Sequence, residues 1–413
     1  MSFKDLQLIN PLLKSIEEQG YSQPTEVQLK AIPKVLDKKD IIVTAQTGTG
    51  KTAAFALPIL QLLFKKQDAP KGGKIIKALI VSPTRELALQ IGNNFKAYGR
   101  HTNLRTTVIF GGISDKPQID VLTKGVDILV ATPGRLIDLQ KQGFVDLDQV
   151  EILVLDEADL MLDMGFIDDV RTIETLCPKN KQIVLFSATM PFKVEQLANS
   201  ILKSPERVEI SASSTAAKTV DQHLYYVPKR NKMELCLHLL RNTIRGNILI
   251  FRRTKFGVNK LETALIKNGY KVDTIHGDKS QTDRQEALKK FKNGVVDILI
   301  ATDVAARGID ISELDVVINF DLPNIPETYV HRIGRTGRAG QNGIAYSLCS
   351  ADEKNYVKTI QQFIQKEIPI EENHPYPLDP KAKAIVHKSK DSKSKHKKGR
   401  KSKASKKKKR RWY

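Results

Sequence analysis

Short runs of β-branched and other apolar residues recur along the sequence, and longer stretches suited to helices separate them. In the first half, six runs occupy positions 40–45, 77–83, 105–110, 126–131, 151–156 and 182–188. Strands that are apolar on both faces are typical of parallel sheets covered by helices on both sides. The intervening segments, such as 85–98 and 191–202, are long enough for crossover helices. The sequence therefore predicts a doubly wound α/β domain.

A second set of runs follows a small polar segment in the middle of the chain. Residues 211–219, SASSTAAKT, have no apolar periodicity and are typical of a linker. Six more runs occupy positions 222–227, 247–251, 271–275, 296–301, 314–320 and 343–348. A chain of 413 residues also exceeds the roughly 250–300 residues at which single cores stop growing. We therefore expect α/β domains at 1–210 and 220–370, joined by the linker at 211–219 and followed by a tail at 371–413.

The net charge of +21 is concentrated near the carboxyl terminus. Residues 381–413 contain 17 Lys and Arg and a single acid, Asp391, whereas basic and acidic residues nearly balance elsewhere. This Lys- and Ser-rich segment has almost nothing apolar to bury, so we expect a disordered basic tail. Its charge favours a polyanionic partner.

Cysteine usage and hydropathy limit the kinds of site and location. Cys177, Cys236 and Cys349 are far apart and form no CxxC pair, so we expect reduced structural thiols and no zinc. The amino-terminal residues lack the features of a signal peptide, and no run approaches the roughly 20 apolar residues that span a bilayer. We therefore expect a soluble, cytoplasmic protein with no membrane partner.

A phosphate-binding loop is predicted directly after the first strand. AQTGTGKT at 45–52 precedes the helical stretch AAFALPILQLLF, which is the context that such a loop requires. Glycines let backbone amides turn inward, and the helix amino terminus adds partial positive charge. Lys51 would hold the β and γ phosphates, and Thr52 would face Mg²⁺. Because Ala45 replaces the first glycine of the general pattern, a chance match is the alternative. The predicted nucleotide-binding residues are Gln46, Thr47, Gly48, Thr49, Gly50, Lys51 and Thr52.

A pair of acids ends a later buried strand, in EILVLDEAD at 151–159. Carboxylates at this position should have a cation. In P-loop enzymes the strand-end Asp holds Mg²⁺, usually through water, and the next acid can orient the attacking water. Asp156 and Glu157 take these two roles here. An acidic turn that merely closes a strand is the alternative, and the phosphate loop earlier in the chain argues against it.

With these motifs and GYSQPTEVQ at 20–28, the sequence resembles the DEAD-box RNA helicases over about residues 3–350. The residues that name the family are Asp156, Glu157, Ala158 and Asp159. By this resemblance Gln28 hydrogen-bonds to adenine, Tyr21 belongs to the same nucleotide site, and Phe3 packs near adenine. Ordinary amino-terminal packing is the alternative for Phe3. The resemblance implies two tandem RecA-like domains and a preference for ATP over GTP.

Further motifs of the first domain match the family in the expected order. SAT at 187–189 resembles the segment that couples hydrolysis to strand separation, which gives Ser187 and Thr189 a coupling role. PTREL at 83–87, the glycine pair at 111–112 and TPGR at 132–135 resemble RNA-facing loops. Their hydroxyls, arginines and approachable amides suit contact with sugars and phosphates rather than base reading. The implied RNA-binding residues are Pro83, Thr84, Arg85, Gly112, Thr132 and Arg135.

The second domain carries IFRRTK at 250–255, QTDR at 281–284, ATDVAARGID at 301–310 and HRIGRTGRAG at 331–340. The resemblance assigns Arg335 and Arg338 to the γ phosphate as arginine fingers, and Asp303 to the ribose. We interpret Arg332 as a structural ion-pair partner and His331 as a coupling residue. The implied RNA-binding residues are Arg284, Thr302 and Gly308.

Each domain would thus contribute part of one nucleotide site. The resemblance implies that ATP and RNA together close the domains, that short duplexes are separated locally, and that hydrolysis releases RNA. The tail would raise RNA affinity without sequence preference. The short length and IFRRTKFGVNKL resemble the bacterial RhlE group, and the family suggests ribosomal or mRNA-decay complexes as partners.

Two other functions stay open at this point. A DNA helicase or translocase would share the phosphate loop and arginines, but it normally lacks the Q motif, which GYSQPTEVQ at 20–28 resembles, and the 156–159 tetrad. A non-catalytic RNA chaperone or clamp would depend on the basic tail, and it would not need Lys51, Glu157 and Arg338.

Overall fold

The computed structural model describes residues 2–46, 48–64, 75–210, 220–306, 314–337 and 343–379. Each half of the chain forms one parallel β-sheet flanked by helices. The linker at 211–219, the tail from 380 onward, Thr47, Gly308 and Arg338 lie outside the described residues.

Seven strands form the first sheet, in the order β3-β4-β2-β5-β6-β1-β7, and every neighbouring pair is parallel. The strands are β1 (Ile41–Thr44), β2 (Ala78–Val81), β3 (Thr106–Ile109), β4 (Ile128–Ala131), β5 (Ile152–Leu155), β6 (Gln182–Ser187) and β7 (Glu206–Glu209). Along β1, Ile41 and Val43 join one buried apolar cluster and Ile42 joins another, because successive side chains point to opposite faces. Both faces of the sheet are therefore covered, which explains the continuous apolar runs.

Helices of the first half connect these strands. They are α1 (Asn10–Glu18), α2 (Glu26–Leu36), α3 (Lys51–Phe64), α4 (Arg85–Tyr98), α5 (Lys116–Leu122), α6 (Pro133–Lys141), α7 (Ala158–Asp163), α8 (Ile167–Leu176) and α9 (Phe192–Ile201), after a short 3₁₀ helix at Phe3–Leu6. The helices predicted at 85–98 and 191–202 are confirmed as α4 and α9.

Six strands form the second sheet, in the order β10-β11-β9-β12-β13-β8, again all parallel. The strands are β8 (Val220–Tyr226), β9 (Ile248–Arg252), β10 (Val272–Ile275), β11 (Ile298–Thr302), β12 (Val316–Asn319) and β13 (Gly343–Cys349). The helices are α10 (Lys232–Asn242), α11 (Lys255–Lys267), α12 (Gln281–Lys292), α13 (Asp303–Ala306), α14 (Pro326–Ile333) and α15 (Lys354–Ile364), with 3₁₀ turns at Lys229–Asn231 and Ala351–Glu353.

The twelve predicted strands are confirmed, and two features were not anticipated. Strand β7 has the polar sequence ERVE, in which only Val208 is buried, and among the described strands it pairs with β1 at the sheet edge. Residues 371–379, placed in the tail by composition, hydrogen-bond to β8 instead: Glu371 N donates to Leu224 O, and Leu378 N donates to Tyr226 O. Side chains add to this docking: Glu371 pairs with His223 at 2.8 Å, and Tyr376 packs against the second-domain core.

The strand order brings the first-domain motifs together. Strands β5, β6 and β1 are neighbours. Carboxyl ends of parallel strands lie at the same edge of a sheet, so the phosphate loop after β1, the acids after β5 and the SAT segment at the end of β6 meet there.

Candidate functional site

The phosphate loop connects β1 to α3, which begins at Lys51. Gly48 and Gly50 have φ of 84° and 91°, a left-handed backbone that favours glycine. The Lys51 ammonium donates to Glu157 Oε1 at 2.6 Å, and both side chains are buried. Burial lowers the pKa of Lys51, but the charges of Glu157 and Asp156 outweigh burial and raise it above its ordinary value. A permanent cation therefore lies at the predicted phosphate position.

The two strand-end acids form the floor of the site. Burial, and then the charge of Glu157, raise the pKa of Asp156 to about 7. Asp156 Oδ1 is buried and has no hydrogen-bond partner among the described residues. Glu157 has φ of 56° and ψ of 55°, a left-handed conformation that is uncommon for a residue with a side chain and is found at functional sites. An oxygen-binding cation would relieve the unpaired carboxylate, so the donors present fit Mg²⁺.

A hydrogen-bond network joins the end of the tetrad to the SAT segment. Asp159 Oδ2 accepts from the Thr189 backbone N–H and hydroxyl, each at 2.9 Å. The Ser187 hydroxyl accepts from Asp159 N–H at 3.1 Å and donates to Thr189 O at 2.6 Å. These bonds tie the ends of β5 and β6 together, which is the contact that a coupling role for Ser187 and Thr189 requires.

Two of the three predicted adenine-site residues, Gln28 and Tyr21, line the cleft, and Phe3 does not. The Gln28 amide donates to Gly50 O at 3.2 Å and accepts from Thr25 N–H at 3.0 Å, and each end of the amide keeps capacity for another hydrogen bond. Tyr21 is 41% exposed and lines the cleft beside Gln28. Phe3 is buried in an apolar cluster of the first domain and is not among the residues that line this cleft. Its place near adenine stays a prediction.

Residues of the second domain form the opposite wall of the cleft, which has a volume of about 910 Å³. His331 and Arg335 line it together with Lys51, Asp156 and Glu157. A single cleft therefore contains residues of both halves of the chain, as a nucleotide shared between two domains requires.

Arg332 has the structural role that the sequence indicated. Its guanidinium donates to Asp303 Oδ1 and Oδ2 at 2.6 and 2.7 Å, and to Asn319 Oδ1 at 3.0 Å. Both oxygens of Asp303, the predicted ribose ligand, are thus already engaged by Arg332. A carboxylate offers about four lone-pair sites, so a hydroxyl could still donate to Asp303. The ribose contact stays a prediction.

Sequence reasoning missed one face of α4. Gln90, Asn94 and Tyr98 line the cleft, as do Glu327 and Thr328 of the second domain. The three α4 residues recur every four positions, which places them on one helix face. That spacing, directly after PTREL, was the available signal.

A cluster of predicted RNA-binding residues lies where the two domains meet. The guanidinium of Arg85 lies against Gly112, since a Cβ there would come within 2.1 Å of Arg85 Nη2. Gly112 also has φ of 79°, a left-handed backbone that favours glycine. Across the boundary, Glu86 Oε1 accepts from Gln281 Nε2 at 3.0 Å and pairs with Arg284 Nη2 at 3.1 Å.

Two guanidinium donors in this cluster have no hydrogen-bond partner in the described part of the chain. Arg135 Nη1 and Arg284 Nε are buried and unpaired within the described residues, although Arg135 Nη2 donates to Ile113 O at 3.0 Å. Burial, and then the positive charges of Arg284 and Arg135, lower the pKa of Arg85 despite the opposing charge of Glu86. An anion at this position would satisfy the donors and reduce the repulsion.

The remaining predicted RNA residues flank this cluster at strand ends. Thr84 Oγ1 caps α4 by accepting from Leu87 N–H at 3.3 Å, and Pro83 precedes it. Thr132 is the residue before α6, and Thr302 is the last residue of β11. These residues lie at the carboxyl edges of the two sheets, but the role of each in RNA contact stays a prediction.

The three cysteines are free and buried, and burial raises the pKa of each thiol to about 12. Among the described residues, no group of three or more His, Cys, Asp or Glu is arranged to hold a metal ion. Mg²⁺ differs in this respect, because it is often held by one or two carboxylates together with substrate phosphates. No helix in the described ranges is long and apolar enough to cross a membrane.

Comparisons with known proteins agree with this site. The family described as DEAD/DEAH box helicase matches residues 25–197, and the helicase conserved C-terminal domain matches residues 231–340. The DEAD-box ATP-dependent RNA helicase RhpA of Helicobacter pylori is 42% identical over 367 residues, which cover 89% of this chain and 73% of RhpA.

Two solved structures share the two-domain fold. Dbp5 of S. cerevisiae bound to RNA and ADP BeF3 is 31% identical, with a TM-score of 0.80 over 90% of this chain and 95% of that chain. A DEAD-box protein from Methanococcus jannaschii is 39% identical, with a TM-score of 0.52 over 90% of this chain and 99% of that chain. Both domain matches and the extent of these likenesses lead to one conclusion: the chain belongs to the family of DEAD-box ATP-dependent RNA helicases.

Proposed function

We propose that this helicase closes its two domains around ATP and RNA, separates short RNA duplexes locally, and releases RNA once ATP is hydrolysed to ADP and phosphate. One observation carries the proposal: the cleft has Lys51, Asp156 and Glu157 on one wall and Arg335 on the other. Neither domain alone holds a complete site, so hydrolysis should depend on closure.

The chemistry of each residue follows from its present contacts. Lys51 now donates to Glu157, and a γ phosphate would compete for that ammonium. Glu157 would then accept a hydrogen bond from the attacking water and orient it. Arg335, together with Arg338, would stabilise the charge that develops on the transferred phosphoryl group. An arginine finger contributes about 10³ to 10⁵ in rate, or about 4 to 7 kcal/mol.

Mg²⁺ would be held by Asp156, largely through water, and by the Thr52 hydroxyl. The bound ion would supply positive charge to the β and γ phosphates. The unpaired, buried Oδ1 of Asp156 supports this assignment.

RNA would lie across the domain boundary, where Arg85, Arg135 and Arg284 converge. The unpaired donors of Arg135 and Arg284 suit phosphate oxygens, which carry no sequence information, so we expect binding without base preference. The placement of the domains supports this path: the RNA-bound Dbp5 gives the higher TM-score, although the M. jannaschii protein is more similar in sequence.

RNA-stimulated ATP hydrolysis tests the proposal. ATP turnover would be measured with single-stranded RNA, with single-stranded DNA of the same sequence and without nucleic acid, and duplex separation would be followed in parallel. We expect stimulation by RNA alone, and loss of turnover and separation in Lys51→Ala. Equal stimulation by DNA would favour the DNA helicase, and undiminished duplex separation by Lys51→Ala would favour the non-catalytic clamp.

The cellular setting belongs to the same proposal. A cytoplasmic location, ribosomal or mRNA-decay complexes as partners, and membership of the RhlE group are supported by the family resemblance. RNA crosslinking in cells followed by sequencing of the bound RNA would identify the natural substrate.

A further inference from the structure

We propose that Tyr98 is a positioning residue for Tyr21, and that α4 makes adenine binding and RNA binding depend on each other. This inference rests on the proposed function, since it takes Tyr21 as part of the adenine site and Arg85 as an RNA contact. It assigns a role to Tyr98, which no motif includes.

The contact between the two tyrosines is direct. Their hydroxyl oxygens are 3.1 Å apart, and their ring centroids are 6.1 Å apart at an angle of 55°. Tyr21 is 41% exposed at the cleft, whereas Tyr98 is 2% exposed. An exposed ring can take many orientations, so a hydrogen bond to a buried, fixed partner restricts it. Burial, and then the bond to Tyr21, raise the pKa of Tyr98, so its hydroxyl keeps its proton at neutral pH.

The helix that ends at Tyr98 begins at the RNA surface. Arg85 is the first residue of α4 and Tyr98 is the last, and 14 helical residues span about 20 Å. At its first turn Glu86 contacts Gln281 and Arg284 of the second domain. One regular helix thus has a predicted RNA contact at one end and the support of a predicted adenine contact at the other.

The packing of α4 favours movement as one body. Phe95 is buried against Phe55 of α3, with ring centroids 6.1 Å apart, and α3 itself begins at Lys51. A shift of Arg85 onto a phosphate would therefore be carried along the helix to Tyr98, rather than absorbed by a loop. Coupling between two ligands is reciprocal: the factor by which RNA tightens ATP binding equals the factor by which ATP tightens RNA binding.

Tyr98→Phe tests the inference, because it removes one hydroxyl and keeps the buried ring. The dissociation constant of a non-hydrolysable ATP analogue would be measured with and without a single-stranded RNA oligonucleotide, and that of the RNA with and without the analogue. One neutral hydrogen bond corresponds to about twofold to tenfold in an equilibrium constant. We expect Tyr98→Phe to reduce the RNA-dependent gain in analogue affinity by a factor within this range. The reciprocal gain in RNA affinity should be reduced by the same factor.

Two comparisons separate this role from a general loss of structure. Tyr270 is half-buried and packs against the second-domain core, and Tyr270→Phe should leave both coupling factors unchanged. In a double-mutant cycle, Tyr98→Phe combined with Tyr21→Phe should lose no more coupling than either change alone. Fully additive losses, or unchanged coupling in Tyr98→Phe, would overturn the inference.

Tyr21→Ala distinguishes this inference from the proposed function. If Tyr21→Ala leaves analogue binding intact, the adenine assignment itself is wrong, and the role of Tyr98 falls with it. If Tyr21→Ala weakens binding while Tyr98→Phe retains wild-type coupling, only the role of Tyr98 is wrong.

Discussion

Replacing Asp159 by Asn should leave one backbone donor without an acceptor where the ends of β5 and β6 meet. Both carboxylate oxygens accept from backbone donors: Oδ1 from Leu160 N–H at 3.0 Å, and Oδ2 from Thr189 N–H at 2.9 Å. An Asn amide has one oxygen and one NH₂ group. In either orientation of the amide, an NH₂ group therefore faces a backbone N–H, and one donor is left without an acceptor.

The cost follows from these contacts. A hydrogen bond to a charged group contributes about 1.5–3 kcal/mol, and a buried unsatisfied donor costs about 1–3 kcal/mol. The two figures overlap, since they describe the same broken contact, so we expect a loss of about 1.5–3 kcal/mol. In a domain of about 200 residues, each kcal/mol lowers Tm by about 2–4 °C. Even the smaller loss should lower the Tm of the first domain by about 3–6 °C.

Circular dichroism melting of the full chain would measure this change, with RNA-stimulated ATP turnover and duplex separation followed on the same samples. Thr189→Val removes only the hydroxyl donor and keeps the backbone N–H, so its loss should be smaller. Asp120→Asn, an exposed change on α5, should melt like the wild type. We also expect Asp159→Asn to separate less duplex per ATP hydrolysed. A wild-type Tm for Asp159→Asn would refute the reasoning.

Two further changes and one labelling experiment have defined outcomes. Glu157→Gln keeps the side-chain volume but removes the base that orients water, so ATP should bind, hydrolysis should slow and RNA should dissociate later. RNA release at the wild-type rate in a filter-binding chase would contradict this expectation. Deleting 381–413 removes 17 Lys and Arg, so the salt dependence of RNA affinity should become shallower while hydrolysis at saturating RNA is preserved. An unchanged slope of RNA affinity against salt concentration would mean that the tail does not contact RNA. Burial raises the pKa of all three thiols to about 12, so a disulfide reagent at pH 8 should label the cysteines only after unfolding. Rapid labelling of the native protein would oppose their assignment as buried structural thiols.

The sequence predicted the sheets well because their strands are buried on both faces. A strand of this kind is apolar at every position, so the run itself marks the strand. Strand β7 lies at an edge, and of its four residues only Val208 is buried, so no run marks it. The docked segment at 371–379 was missed for a different reason: its composition resembles that of the tail, and its contacts are with β8, which is distant in the chain.

Within the site, the sequence predicted residues whose neighbours are fixed by local geometry. The phosphate loop needs only a strand, glycines and a helix, and these are consecutive in the chain. Pairing between distant residues was harder. Arg332 was expected to have an acidic partner, but that this partner is Asp303 depends on how α14 packs near the end of β11. The Tyr21–Tyr98 contact likewise depends on how α4 packs against the segment at 20–28.

Glu86 shows how one such pairing can serve closure and RNA binding together. It lies among Arg85, Arg135 and Arg284, and its single negative charge leaves this cluster with a net positive charge. It accepts from Gln281 and pairs with Arg284, so it joins the domains without using the Nε donor of Arg284 or the Nη1 donor of Arg135. An RNA phosphate would therefore add to the contact across the boundary rather than displace it. Because the same arginines are brought together by closure, RNA should bind the closed arrangement more tightly than the open one, and by the same factor it should favour closure.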